Sequence, residues 1–261
     1  MKAIRSRDNP AVKQLIALAH SSRERKKVGL TVLDGVHLID AHRRAIGAPK
    51  QVAVAESAMT RDDVRAILRD LDERTLISLP DAFFRDISSL DSPSVAVALV
   101  ETPIARPTPS DATVMVMDDI QDPGNVGSLL RSAAAAGVTE VLTSKTTAFC
   151  WSPKVLRAAQ GAHFSLNIVE GADIESFLKT YRGDSLALVA QAGGTSSLFD
   201  TPLRGPVALL LGNEGAGLSP GVLGAANRRV TLPMPGKIES LNVAAAGAIA
   251  LFEIVRQRTQ S

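Results

Sequence analysis

The chain of 261 residues balances 29 Lys and Arg against 27 Asp and Glu, and its net charge of +2 excludes a histone-like polycation. Apolar residues make up 45% and charged residues 21%, enough to bury the core of one large domain or two modest ones. One cysteine, Cys150, and four histidines exclude an internal disulfide framework and a usual structural zinc site, so no metal is expected and a cytoplasmic location is.

The first 27 residues are locally basic. Lys2, Arg5, Arg7, Lys13, Arg23, Arg25, Lys26 and Lys27 stand against Asp8 and Glu24, a net of +6. Such a run suits either several phosphate contacts or a solvated helix face, and charge alone does not separate the two. Met1–His20 lacks an apolar run of signal-peptide length. The longest apolar stretch, Val243–Phe252, is far below the ~18–20 residues of a membrane span. With aromatics at 3%, modules that stack bases on a sheet are disfavoured.

A first helix is expected at Pro10–His20, with Asn9 as its cap and Pro10 in its first turn. Strands are then expected at Leu30–Leu33, Gln51–Val54, Thr75–Leu79 and Val95–Val100. Helices fit between them at Val36–Ala45, Arg61–Leu71 and Asp81–Ile87. Three prolines between Thr102 and Ser110 oppose both helix and central strand. That break divides the chain into residues 1–104, a linker at 105–112, and residues 113–261.

Beyond the linker, strands are expected at Thr113–Met117, Val141–Thr143, Phe164–Val169, Leu186–Ala190, Val207–Leu211 and Val230–Leu232. Helices are expected at Val126–Ala136, from Pro153 to Gly161 with Ser152 as cap, at Ile174–Tyr181, and at Leu241–Arg258. Regular strand–helix alternation predicts an α/β fold with a parallel sheet covered on both faces.

The chain has no phosphate-binding G-x-x-x-x-G-K-[ST] loop, no dinucleotide G-x-G-x-x-G, no H-E-x-x-H and no G-x-S-x-G. Three polar, glycine-bearing stretches remain, each directly after an apolar strand, where open α/β sheets bind ligands. The first is Asp118–Arg131 (DDIQDPGNVGSLLR). Asp122-Pro-Gly124 is turn chemistry, and Asn125 is placed to cap the helix, which would account for it without any function. Arg131 sits in a small, apolar helix with Gly127 leaving space one turn earlier; it is either solvated or held for a ligand. The second is Leu211–Ser219 (LGNEGAGLS), where three glycines around Glu214 let the backbone approach a bound molecule. The third is Leu232–Asn242 (LPMPGKIESLN), where Ser240 or Asn242 is placed to cap the closing helix.

These three stretches, in this order, resemble the SpoU (TrmH-type) family of the SPOUT superfamily of RNA methyltransferases, and the likeness runs from Met115 to Arg258. The first part of the chain is similar, more loosely, to the family's substrate-binding domain. Asp34-Gly35 stands where the family usually carries Glu-Gly, and its Pro-Gln-Gly sequence is missing near Pro93-Ser94-Val95.

The resemblance implies a small α/β substrate-binding domain followed by a parallel-sheet SPOUT domain with a deep trefoil knot, an arrangement that patterning alone would never suggest. It implies S-adenosylmethionine as cofactor, RNA as substrate and a homodimer with the site near the subunit interface. Arg131, Asn125, Glu214, Ser240 and Asn242 match the family's catalytic positions, with Arg131 reaching substrate held by the partner. Gln191, Gly212, Asn213, Leu232 and Leu241 would hold the cofactor. The expected reaction is methylation of a ribose 2′-hydroxyl in structured RNA, ribosomal rather than transfer RNA. The alternatives are a transfer-RNA enzyme, a member acting on a base nitrogen and a silent RNA-binding member of the fold. Arginine keeps its proton to above about pH 12, so Arg131 is expected to anchor phosphate and stabilise oxyanion charge rather than act as a base.

Overall fold

Asn9 does cap the first helix, its Oδ1 accepting the Ala11 N–H at 3.0 Å. The computed structural model describes residues 1–88, 94–190, 195–238 and 240–259, so Pro93 lies outside the described residues. It divides into two compact units, Met1–Ile104 with Trp151–Phe164, and Ala105–Cys150 with Ser165–Ser261.

The first unit runs β1 (Lys2–Ala3), α1 (Pro10–His20), α2 (Ser22–Val28), β2 (Leu30–Asp34), α3 (Val36–Ala45), β3 (Gln51–Ala55), α4 (Asp62–Leu68), β4 (Leu76–Leu79), α5 (Asp81–Ile87) and β5 (Ala96–Glu101). Its strand order is β1-β4-β3-β5-β2, and the sheet is mixed because β5 runs antiparallel to β2 and β3. The basic segment is itself helical. Ser21 accepts the Glu24 N–H to start α2, and Gly29, with φ of 64°, ends it. Arg25 fits neither phosphate contact nor a solvated face. It is only 5% exposed, and its guanidinium donates to the carbonyls of Leu18 and Ala19 in the last turn of α1. Those carbonyls lack intrahelical donors, so Arg25 serves the fold.

The second unit begins β6 (Val114–Met117), α6 (Pro123–Ala135) and β7 (Glu140–Thr143). The following α7 (Pro153–Ala159), capped by Ser152, belongs to the first unit, where Gly161 lies so close to Ala41 that an added Cβ would come within 2.8 Å. The second unit then continues with β8 (Asn167–Val169), α8 (Ile174–Thr180), β9 (Asp184–Leu188), β10 (Ser196–Ser197), β11 (Val207–Leu211), α9 (Pro220–Ala225), β12 (Arg228–Thr231) and α10 (Val243–Thr259). The proline-rich stretch is tied down here: the Asn167 carboxamide accepts the Arg106 N–H at 2.8 Å and donates to its carbonyl at 3.0 Å.

All pairs in the second sheet are parallel, in the order β10-β12-β9-β11-β6-β7-β8. Its central strands are apolar on both faces, as a covered parallel sheet requires, with Val114, Val116, Leu209 and Leu210 fully buried. Burial of each such side chain contributes about 1.5–3 kcal/mol. After β12 the chain returns past β9 to lay α10 on α6 and β11. Gly247 permits that approach, since a Cβ there would collide with Leu129 of α6 and Leu211 of β11.

Candidate active site

The site is built at the carboxyl ends of β6, β9, β11 and β12, and its first element is a helix start. Asp122, not Asn125, caps α6: its Oδ1 accepts the Asn125 N–H at 2.8 Å, and Pro123 fills the first helical position. That corrects the expected cap and frees the Asn125 side chain. Its Nδ2 donates to Glu214 Oε1 at 2.9 Å, and its Oδ1 accepts from Asn242 Nδ2 at 2.9 Å. Of the two candidates at the closing helix, Asn242 is the cap, its Oδ1 accepting the N–H groups of Ala244 and Ala245 at 2.9 and 3.2 Å. One chain of side-chain bonds thus links the starts of α6 and α10 to the loop after β11.

That loop folds back on itself. Asn213 and Gly217 exchange two backbone hydrogen bonds of 2.9 Å, with Gly217 at φ of 74°. Asn213 Oδ1 accepts the N–H groups of Gly215 and Ala216, and its Nδ2 donates to the carbonyl and carboxylate of Asp119. The Asn213 side chain therefore works within the loop, as do its own N–H and C=O, so the residue shapes the cavity wall rather than offering free polar groups to the cofactor. Gly212 admits no side chain, because a Cβ would collide with the backbone of Gly217 and Leu218.

Between the loop and the start of α10 lies a cavity of about 740 Å³. Leu188 lines it from the end of β9 and Val189 and Ala190 from just beyond, Gly212–Leu218 from the loop, and Leu232, Met234, Ser240, Leu241 and Asn242 from the stretch after β12. Among the described residues, no hydrogen bond uses the N–H or C=O groups of Gly212 and Leu241. Apolar walls, unused backbone groups and this volume fit a nucleoside-sized ligand, S-adenosylmethionine included.

Ser240, Asn242, Glu214, Gly212, Asn213, Leu232 and Leu241 thus meet at one cavity, with Asn125 bonded to two of them. Gln191 lies outside the described residues. Arg131 is not at the cavity. It lies on the exposed stripe of α6 with Gly124, Ser128 and Ala135, and forms no hydrogen bond or ion pair among the described residues, while Gly127 is buried rather than open. Asp122 was legible as a cap from its Asp-Pro sequence; Asp119 gave no signal.

An open parallel sheet with a ligand cavity at its strand ends defines the class as a ligand-binding α/β domain of the crevice type. The chain belongs to the SpoU rRNA Methylase family, whose model matches residues 112–252. It is 28% identical over 255 residues to the 23S rRNA (guanosine(2553)-2'-O)-methyltransferase RlmP of Bacillus subtilis, covering 97% of this chain and 99% of that protein. A 23S rRNA (uridine(2479)-2'-O)-methyltransferase of Streptomyces viridochromogenes is 32% identical over 204 residues, covering 74% of this chain and 71% of that one. Among solved structures, the SpoU methyltransferase AviRb of Streptomyces viridochromogenes in complex with the cofactor AdoMet superposes with a TM-score of 0.83. It is 27% identical, with 97% of this chain and 99% of that chain covered.

Proposed function

We propose that the protein methylates a ribose 2′-hydroxyl of structured RNA, ribosomal RNA in particular, with S-adenosylmethionine as donor. The observation that carries this is the cavity at the strand ends, walled on two sides by groups that the Asn242–Asn125–Glu214 chain fixes in place. The relatives above are named for a guanosine and a uridine, so the ribose is their common target. When bound, the donor supplies an electrophilic methyl on a sulfonium, which needs neither a metal nor a covalent link to the protein.

The chain's residues then divide the remaining work. Gly212, Leu232 and Leu241 offer backbone groups and apolar surface to the cofactor, with Asn213 shaping the loop beside them; Gln191 is assigned to the cofactor as well. Glu214, Asn125, Ser240 and Asn242 orient donor and ribose so that the hydroxyl lies in line with the methyl carbon. Arg131 presents a planar fork to an RNA phosphate and stabilises the oxyanion forming on the ribose, while a phosphate oxygen or water takes the proton.

Because Arg131 lies off the cavity, the reading includes a homodimer in which it serves the partner's substrate. A second copy would cover the apolar stripe of α10, where Ile249 and Phe252 are 40% and 49% exposed beside Ala245. The reading also includes a knotted path for the residues between β12 and α10, residues 1–104 as the RNA-recognising part, 105–112 as linker, and a cytoplasmic location. No helix among the described residues is long and apolar enough to cross a membrane, and none of their His, Cys, Asp and Glu side chains group as a metal site. Mass-spectrometric mapping of ribose methylation in cells with and without the gene tests the reading. Loss of one 2′-O-methyl from ribosomal RNA is expected; unchanged ribose methylation, or loss of a base methyl instead, contradicts it.

A further inference from the structure

We infer that Asp119 is a positioning residue for the cofactor loop, holding it through Asn213 from outside the cavity; this rests on the reading of the site as a place for S-adenosylmethionine. Asp119 follows β6 in the left-handed region, with φ of 59°, a conformation that side-chain-bearing residues avoid and that Asp and Asn tolerate best. The conformation is useful because it turns both the carbonyl and the carboxylate of Asp119 to the same neighbour. The Asn213 Nδ2 group donates one hydrogen to the Asp119 carbonyl at 2.9 Å and the other to Oδ2 at 3.1 Å.

Asp119 is itself braced. Its N–H donates to Ser144 Oγ at 2.9 Å, and its Oδ1 accepts from Gln121 Nε2 at 3.2 Å. With its amino group so held, Asn213 turns its oxygen inward to the N–H groups of Gly215 and Ala216. All four hydrogen-bonding directions of the carboxamide are spent, and the backbone on either side of Glu214 takes one shape. The same loop lines the cavity from Gly212 to Leu218, so loosening it moves both the cavity wall and the Glu214 carboxylate.

Four proteins separate this role from simple stability: the full-length wild type, Asp119→Gly, Asn213→Asp and the double swap Asp119→Asn with Asn213→Asp. Glycine adopts the left-handed backbone without steric strain, so Asp119→Gly removes the carboxylate and otherwise changes only the freedom of the unfolded chain. Asn213→Asp sets its carboxylate against both the carboxylate and the carbonyl of Asp119, and the swap restores one amide opposite one carboxylate while the carbonyl still lacks its donor. Titration calorimetry with S-adenosylmethionine is expected to show about tenfold weaker binding for Asp119→Gly, and a larger loss for Asn213→Asp. The swap should recover part of that loss, because only the side-chain bond is restored. Amide exchange at Gly215 and Ala216, read without any ligand, should quicken in the two single variants and slow again in the swap. Equal exchange and equal affinity across all four proteins would overturn the role of Asp119, as would a swap no better than Asn213→Asp. A wild type that binds no S-adenosylmethionine would instead overturn the functional reading, and the exchange rates would still decide the clamp.

Discussion

The Asn242 carboxamide donates to Asn125 Oδ1 at 2.9 Å while its own oxygen caps α10, so the helix cap sets the polarity of the whole site. With the Asn242 oxygen taken by two backbone N–H groups, only its amino group can face Asn125. Asn125 must then offer its oxygen to Asn242 and its amino group to Glu214, whose carboxylate accepts it. Asn242→Asp keeps a good helix cap but places an oxygen against the Asn125 oxygen. Thermal stability should stay near that of the wild type, and turnover should fall about tenfold or more, the factor that ~1.4 kcal/mol represents. Wild-type turnover in this variant would show that the polarity of the chain does not matter.

The distance from α10 to α6 rests on Gly247. Replacement by alanine adds about 1 kcal/mol of helix propensity, but overpacking against Leu129 and Leu211 costs about 1–3 kcal/mol. Gly247→Ala should therefore be destabilising on balance, and Gly247→Val strongly so. Urea unfolding measures the first effect. Turnover measured on the folded fraction should fall as well, because α10 carries Asn242 away from Asn125.

Among the basic residues near the N-terminus, Arg23, Lys26 and Lys27 are exposed and Arg25 is buried. Neutralising the three exposed side chains should lower the salt slope of RNA binding by up to roughly three units if all contact a duplex-like backbone. Arg25→Ala should leave that slope unchanged and instead destabilise the fold by about 1–3 kcal/mol, the cost of leaving helix carbonyls unsatisfied. A lowered slope in Arg25→Ala, with unaltered unfolding, would reverse this division.

Local signals carried far along this sequence. Caps at Asn9 and Ser152, the uniformly apolar central strands and the three polar strand-end stretches are all stated within a few neighbouring residues. What depended on distant partners was not legible. The two residues of β1 are a strand only because β4 pairs with them, and α7 lies within the first unit although its sequence falls inside the second. Asn125 looked like a cap because Asp122-Pro-Gly reads as a turn, although Asp before Pro is also a capping signal; that Asn125 instead reaches Glu214, 89 residues away, shows only in the folded chain. Arg25 read as surface charge for the same reason, since its carbonyl partners are visible only once α1 and α2 are folded against each other.

Incubating the purified protein with methyl-labelled S-adenosylmethionine and ribosomal RNA from cells lacking the gene, then digesting the RNA to nucleosides, reads donor, acceptor and target atom in one experiment. The label should appear in one 2′-O-methylated nucleoside. With Arg131→Ala it should vanish while cofactor affinity stays within about twofold, because that side chain lies outside the cavity. Arg131→Lys should also be poor, since a point charge does not replace a planar fork. Label recovered in a methylated base would overturn methylation of the ribose, and transfer at the wild-type rate by Arg131→Ala would remove that side chain from the reaction.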